Sequence, residues 1–188
     1  RAEPDAGFAA LDSQLRAQLG QLPPDKRLIA VEIGVPGYIA EDRATVGWSE
    51  SPEWQDFPLS TKVSATLSDL GIEGAHVGVT NDSQLAALHA VRIELRLRPD
   101  AIATYFGGLR ALGSGLIIGG EIFRGAGGGA GDFGHLNVDP SGPACSCGRN
   151  GCLQSLIGPH SLLTSGDLLP ADEAARLVDQ RPEEAIRK

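Results

Sequence analysis

The chain has 188 residues, a formal net charge of −8, and 41% hydrophobic but only 5% aromatic residues. An acidic chain lacks the basic face that phosphate contacts need, so the composition argues against a surface that itself grips nucleic acid or an anionic membrane. No apolar run approaches the roughly 18 residues of a membrane-spanning helix, and no secretory leader pattern is present. We therefore expect a cytoplasmic protein with an aliphatic core and no membrane partner. Because methionine is absent, we also expect the chain to be incomplete.

Helical and strand-like segments alternate in the first half of the chain. The predicted elements are, in chain order, a helix over 6–20, a strand over 27–35, a helix over 58–71, a strand over 75–80 and a helix over 81–97. The helices carry apolar residues at helical spacing, and the strands are short apolar runs rich in β-branched residues. Strands that alternate with helices pair in parallel, so this order predicts an α/β layer.

The second half of the chain is richer in glycine and predicts a different series of elements. They are a segment over 101–107, a β-hairpin over 113–125 that turns at Gly119-Gly120, a glycine-rich loop over 125–131, a strand fragment over 135–138 and a helix over 170–180. We place a lobe boundary between residues 98 and 99. Residues 1–98 would then form part of an N-terminal α/β lobe, and residues 99–188 part of a C-terminal α/β lobe.

All three cysteines lie close together, and a histidine precedes them by ten residues. The four side chains are His135, Cys145, Cys147 and Cys152. One imidazole and three thiolates fill the tetrahedral shell of zinc and leave no position for water. The loop 135–152 is therefore predicted to hold a structural zinc ion, not a catalytic one. The alternative is three unrelated thiols or one disulfide, although a Cys-x-Cys pair strains a disulfide severely.

The stretch GAGDFGHLNVDPSGPACSCGRNGCLQ, residues 129–154, resembles the signature of the ROK family, which unites repressors, open reading frames and sugar kinases. That signature is Glu-x-Gly-His, nine residues, then Cys-x-Cys-Gly-x-x-Gly-Cys-x-Glu. VEIGVPGYI, WQDFPL and VTNDSQLAAL resemble further family segments in the same order, so the resemblance covers about residues 28–158. It is strongest to the regulator branch. It implies an actin-like ATPase fold of the ribonuclease H-like, sugar-kinase type, with a sugar cleft between two lobes.

The resemblance also implies which residues bind the sugar. They are Gly37, Asn81, Asp82, Asp132, His135 and Gln154. In kinases of the family the aspartate at the position of Asp82 is the general base, because a carboxylate can accept the proton of the attacking hydroxyl. Helix capping alone is the alternative role for Asn81 and Asp82. Asp132 and Gln154 stand where the signature has glutamate, so we expect the sugar preference to differ.

The phosphate-binding motifs of the kinases are missing or altered in this chain. No Asp-x-Gly-x-Thr loop occurs, and the family's Gly-Thr-Gly triplet falls on Leu109-Arg110-Ala111, whose side chains obstruct the approach of phosphate to backbone amides. This pattern is typical of ROK regulators. We therefore predict the sugar-effector-binding domain of a sugar-responsive, homo-oligomeric transcriptional regulator, which would contact DNA through an N-terminal helix-turn-helix absent from this chain.

Two other functions remain open at the level of sequence. The first is an ATP-dependent sugar kinase, such as a glucokinase or an N-acetyl-amino-sugar kinase, which would use Mg-ATP with Asp82 as its catalytic base. The second is a sugar-binding remnant with neither activity. Of the three functions, only the kinase would be an enzyme.

Overall fold

The computed structural model describes residues 6–23, 25–49, 54–94, 96, 102–107 and 111–158. Its α-helices are α1 (Ala6–Leu19), α2 (Leu59–Asp69), α3 (Asp82–His89) and α4 (Leu153–Ile157). Its strands are β1 (Ala30–Val35), β2 (Tyr38–Ile39), β3 (Val46–Trp48), β4 (His76–Asn81), β5 (Ile102–Gly107), β6 (Gly113–Ile118) and β7 (Glu121–Ile122). A π-helical turn, Ala90–Glu94, continues α3, and a 3-10 turn spans Phe133–His135.

The described residues fall into two compact units. The first comprises those up to Tyr105 together with Gly115–Gly131, and the second comprises Phe106–Ser114 and those from Asp132 onward. The lobe boundary predicted between residues 98 and 99 lies outside the described residues and stays a prediction. The helix predicted over 170–180 lies outside them too. Within the described ranges, no helix is both long and apolar enough to cross a bilayer.

Strands β1 and β4 form the parallel pair that the alternation of helices and strands predicts. Their register places Ala30 opposite His76 and Val35 opposite Asn81. Parallel strands end at the same edge of a sheet, so the turn that follows Val35 lies beside the end of β4. This pairing brings Gly37 and Asn81, which are far apart in the sequence, to one place.

The core of the first unit lies between the β1–β4 pair and two helices. Leu59, Val63 and Leu67 of α2 are almost fully buried against it, because they repeat every four residues and so share one face of the helix. Apolar residues of α1, among them Phe8 and Leu11, pack against the same cluster. Burial of each such large side chain stabilises the fold by about 1.5–3 kcal/mol.

A separate three-stranded sheet has the strand order β5-β6-β7. β6 and β7 pair in antiparallel fashion around Gly119-Gly120, with Ile117 opposite Ile122, so the predicted hairpin is confirmed. Ile117 is fully buried and packs with Ala87 of α3. The hairpin is therefore fixed to the helix that begins at the end of β4.

The structure differs from the sequence analysis in two local features. The antiparallel pair β2–β3 was not predicted, because strands of two and three residues show no alternation. The strand predicted over 135–138 is wrong: the backbone forms the 3-10 turn first, and then a single isolated bridge joins Asn137 to Cys152. The backbone conformation of this segment depends on its contacts with the cysteine-rich loop, residues 145–152, and not on its own β propensity.

Candidate functional site

The four predicted metal ligands converge in the second unit. The donor atoms of His135, Cys145, Cys147 and Cys152 all lie within 4.8 Å of one another. The Sγ atoms of Cys147 and Cys152 are 3.7 Å apart, and Cys145 Sγ lies 3.5 Å from His135 Nδ1. Tetrahedral zinc, with Zn–S near ~2.3 Å and Zn–N near ~2.05 Å, places two sulfurs ~3.8 Å apart and a nitrogen ~3.6 Å from a sulfur. The four side chains therefore fit a zinc ion, which itself stays a prediction.

A disulfide does not explain these short distances. All three cysteines are free, whereas bonded sulfurs would stand only ~2.05 Å apart. Since Nδ1 is the ring nitrogen that lies 3.5 Å from Cys145 Sγ, His135 would bind the metal through that atom. With four protein ligands no position remains for a reactive water, so a metal here would shape the loop.

Backbone hydrogen bonds hold the cysteines in place. The Cys145 amide donates to the Arg149 carbonyl at 2.8 Å, and the Gly148 amide donates back to the Cys145 carbonyl at 3.0 Å, which closes a tight turn. Gly151 has a φ of +64°, and a Cβ there would lie 1.5 Å from the Asp139 carbonyl oxygen. Only glycine fits this close crossing of two chain segments, and Cys152 follows directly.

The thiols of Cys147 and Cys152 lie in contrasting environments. Burial acts to raise the pKa of Cys147, but hydrogen bonds from the backbone and side chain of Arg149, together with the other thiols, outweigh it and lower the pKa to about 6. Burial, reinforced by the neighbouring sulfurs, raises the pKa of Cys152 to about 12. Metals bind the thiolate, so a metal would have to displace the proton of Cys152.

Arg149 is a contributor to this site that the sequence analysis did not single out. Its guanidinium Nη2 also donates to the His135 carbonyl at 2.8 Å, so one side chain serves two ligand residues. In the sequence, its position between Cys147 and Cys152 is the feature that could have indicated this role. Its hydrogen bonds favour the charged form of Cys147.

The predicted sugar residues of the first unit meet at the edge of the β1–β4 pair. Asn81 Nδ2 donates to the Gly37 carbonyl at 3.0 Å, and Asn81 Oδ1 accepts from the Gln84 amide at 3.0 Å. The helix-capping role of Asn81 is therefore observed directly. Asp82 is exposed at the first residue of α3, where its Oδ1 accepts from the Ser83 amide at 2.7 Å. Sugar binding by these residues stays a prediction.

The remaining predicted sugar residues belong to the second unit. Asp132 directly precedes the 3-10 turn and His135 ends it, so a metal that holds His135 would also fix the backbone of Asp132. Gln154 lies in the first turn of α4, and its Nε2 donates to Cys145 Sγ at 3.3 Å. Sugar binding by this second group stays a prediction as well.

Gln84 links the start of α3 to the glycine-rich loop that precedes Asp132. Its side chain is 4% exposed, and Nε2 donates to the Gly128 carbonyl at 3.1 Å. Gln84→Met keeps the volume but removes this donor, so we expect a loss of about 1–3 kcal/mol in the free energy of unfolding, measured by urea titration. The exposed Gln14 provides the control, since Gln14→Met should change stability by less than about 0.5 kcal/mol. Equal stability of the two variants would contradict a structural role for this hydrogen bond.

Comparisons with known proteins identify the family of this chain. The family model described as the ROK family matches residues 10–180. The chain is 32% identical over 168 residues to a kanosamine kinase from Amycolatopsis mediterranei, covering 89% of this chain and 51% of that protein. It is 32% identical over 140 residues to a xylose repressor from Caldicellulosiruptor bescii, covering 74% of this chain and 33% of that protein. The chain thus spans between a third and a half of the length of these relatives.

A solved structure extends the similarity to the fold. A ROK family glucokinase from Streptomyces griseus, in complex with glucose and AMPPNP, superposes with a TM-score of 0.66 at 30% identity. The match covers 82% of this chain and 47% of that one. The expected α/β fold of the actin-like ATPase and sugar-kinase type is therefore confirmed. By sequence and by fold, this chain belongs to the ROK family.

Proposed function

We propose that this chain is the sugar-effector-binding part of a cytoplasmic, homo-oligomeric ROK transcriptional regulator, and that a structural zinc ion holds its loop 135–152. The observation that carries the regulator assignment is the sequence Leu109-Arg110-Ala111, where the kinases have a glycine-rich triplet. Leu109 and Arg110 lie outside the described residues, but the presence of side chains at these two positions is known from the sequence alone. Side chains at these positions obstruct the backbone amides that would otherwise approach nucleotide phosphates.

Two groups of polar residues support sugar binding. In the first unit, the exposed carboxylate of Asp82 stands beside Asn81, whose amide is held in place by two backbone hydrogen bonds. In the second unit, Asp132 and His135 flank one short turn. Carboxylates, amides and imidazoles at fixed backbone positions are suitable partners for sugar hydroxyls. For such binding to regulate transcription, the sugar must bind one conformation of the protein more tightly than another.

A sugar kinase is the second candidate, and the exposed Asp82 carboxylate favours it. A general base must reach the substrate hydroxyl, and Asp82 is presented at the surface at the start of α3. The similarity to a kanosamine kinase over 89% of this chain also supports this candidate. In it, Mg-ATP would supply the phosphoryl group, and Asp82 would take the proton of the attacking hydroxyl.

One experiment separates the two candidates. The full-length protein is incubated with glucose, mannose, N-acetylglucosamine or xylose, with and without Mg-ATP, and sugar phosphate is measured alongside binding to operator DNA. We expect sugar-dependent release of DNA and no sugar phosphate. Asp82→Asn provides the matched variant, because it keeps hydrogen bonding but removes the base. Turnover that this variant abolishes would overturn the regulator proposal and establish the kinase.

A further inference from the structure

The side chain of Gln154 makes two hydrogen bonds, and one of them is to a metal-ligand sulfur. Nε2 lies 3.3 Å from Cys145 Sγ and 3.1 Å from Ser146 Oγ. An amide nitrogen carries two hydrogens, so each of them has an acceptor. The contact joins the first turn of α4, which follows the cysteine-rich loop, to Cys145 at the start of that loop. Gln154 therefore contacts one of the four predicted metal ligands directly.

From this contact we propose that Gln154 is a positioning residue of the metal site, whose amide stabilises the Cys145 thiolate as a metal ligand. The proposal rests on the proposed zinc site. Zinc with three thiolates and one neutral imidazole carries a net charge of −1, so N–H donors to the sulfurs offset excess negative charge. Arg149 donates to Cys147, and Gln154 supplies the corresponding donor to Cys145.

The chemistry of this contact distinguishes glutamine from glutamate. A carboxylate has no N–H to give to a sulfur, and at about the same distance it would add a second negative charge beside the thiolate. The proposal also narrows the predicted sugar role of Gln154. Since both amide hydrogens are directed at Cys145 and Ser146, the side chain would act toward a sugar hydroxyl through Oε1, as an acceptor.

The test compares metal binding by the wild-type protein, Gln154→Met and Gln154→Glu. Zinc affinity is measured by competition with a chromophoric chelator, and cobalt(II) is substituted so that its sulfur-to-metal charge-transfer band can be recorded. We expect about tenfold weaker zinc binding in both Gln154→Met and Gln154→Glu, because neither side chain has an N–H to give to Cys145, while the glutamate of the family signature shows that a carboxylate at this position is compatible with the ligand set. The band should move to lower energy, because a sulfur that loses a hydrogen bond donates electrons more readily. Gln14→Met, on an exposed face of α1, is the control and should match the wild type.

The outcomes separate this inference from the proposal on which it rests. A wild-type protein that binds neither zinc nor cobalt would overturn the metal site itself. A wild type that binds both, with variants of equal affinity and an unshifted band, would overturn the role of Gln154 alone. If Gln154→Glu does not fold, the band position in Gln154→Met decides the matter, because that variant keeps the side-chain length without adding a charge.

Discussion

Replacing Cys152 by serine is expected to abolish stoichiometric zinc binding and to unfold the loop 135–152. Cys152 is fully buried, and its Sγ lies 3.7 Å from that of Cys147. Among the second-unit residues whose side-chain burial is described, 111–114 and 132–158, the buried apolar side chains are those of Cys145 and Cys152, while Leu136 and Val138 are more than half exposed. A zinc ion held by the four side chains would therefore supply much of the stability of the loop. Structural zinc contributes roughly 10–16 kcal/mol in small domains.

The measurement is zinc content by elemental analysis, together with the thermal unfolding midpoint before and after treatment with a strong chelator. The chelated wild type should unfold at a lower temperature and should resemble Cys152→Ser. Ser141→Ala provides the control within the same loop, because Ser141 is exposed and is not a ligand. Close to one zinc per chain in Cys152→Ser, or a midpoint that chelation does not move, would contradict the metal site.

The features that could be predicted from the sequence are those encoded by local patterns. The helices α1 and α2 and the strands β1 and β4 each show their own periodicity or apolar run, and their alternation implies parallel pairing. The convergence of the four predicted metal ligands could be predicted just as readily, because donor type and close spacing are visible in a short stretch. For a cysteine cluster, the geometry that a shared metal requires constrains the loop more tightly than the secondary-structure propensity of its residues does.

Features that depend on contacts distant in the sequence could not be predicted. Gln84 looks like an ordinary polar residue of an amphipathic helix, and its bond to Gly128 exists only because the hairpin packs on α3. Gln154 was assigned to the sugar by resemblance, while in the structure its amide contacts Cys145. A sequence identifies a side chain as polar, but the partner depends on which backbone segments the fold brings near it.

Gly37→Ala is expected to lower the free energy of unfolding by about 3 kcal/mol or more and to abolish the thermal stabilisation that the proposed sugar binding would confer. Gly37 has a φ of +136°, which side chains rarely adopt, and a Cβ there would lie 2.1 Å from the Trp48 carbonyl oxygen. The backbone would have to move away from β3. Because the Gly37 carbonyl accepts from Asn81 Nδ2, that movement would also release the Asn81 side chain. Urea unfolding and the sugar-dependent shift in melting temperature measure the two effects.

Gly71→Ala separates the steric effect at Gly37 from the general cost of replacing a glycine of positive φ. Gly71 follows α2 with a φ of +71°, and no atom lies within 4 Å of the position that a Cβ would take. Alanine there costs only the strained backbone, about 1 kcal/mol, and should leave the response to sugar unchanged. Equal losses of stability in the two variants would show that the backbone of β3 moves at little energetic cost to accommodate a side chain at residue 37. If Gly37→Ala keeps the sugar-dependent shift in melting temperature, the contact between Gly37 and Asn81 is dispensable for sugar binding. The turn at Gly37 would then not be part of the sugar site.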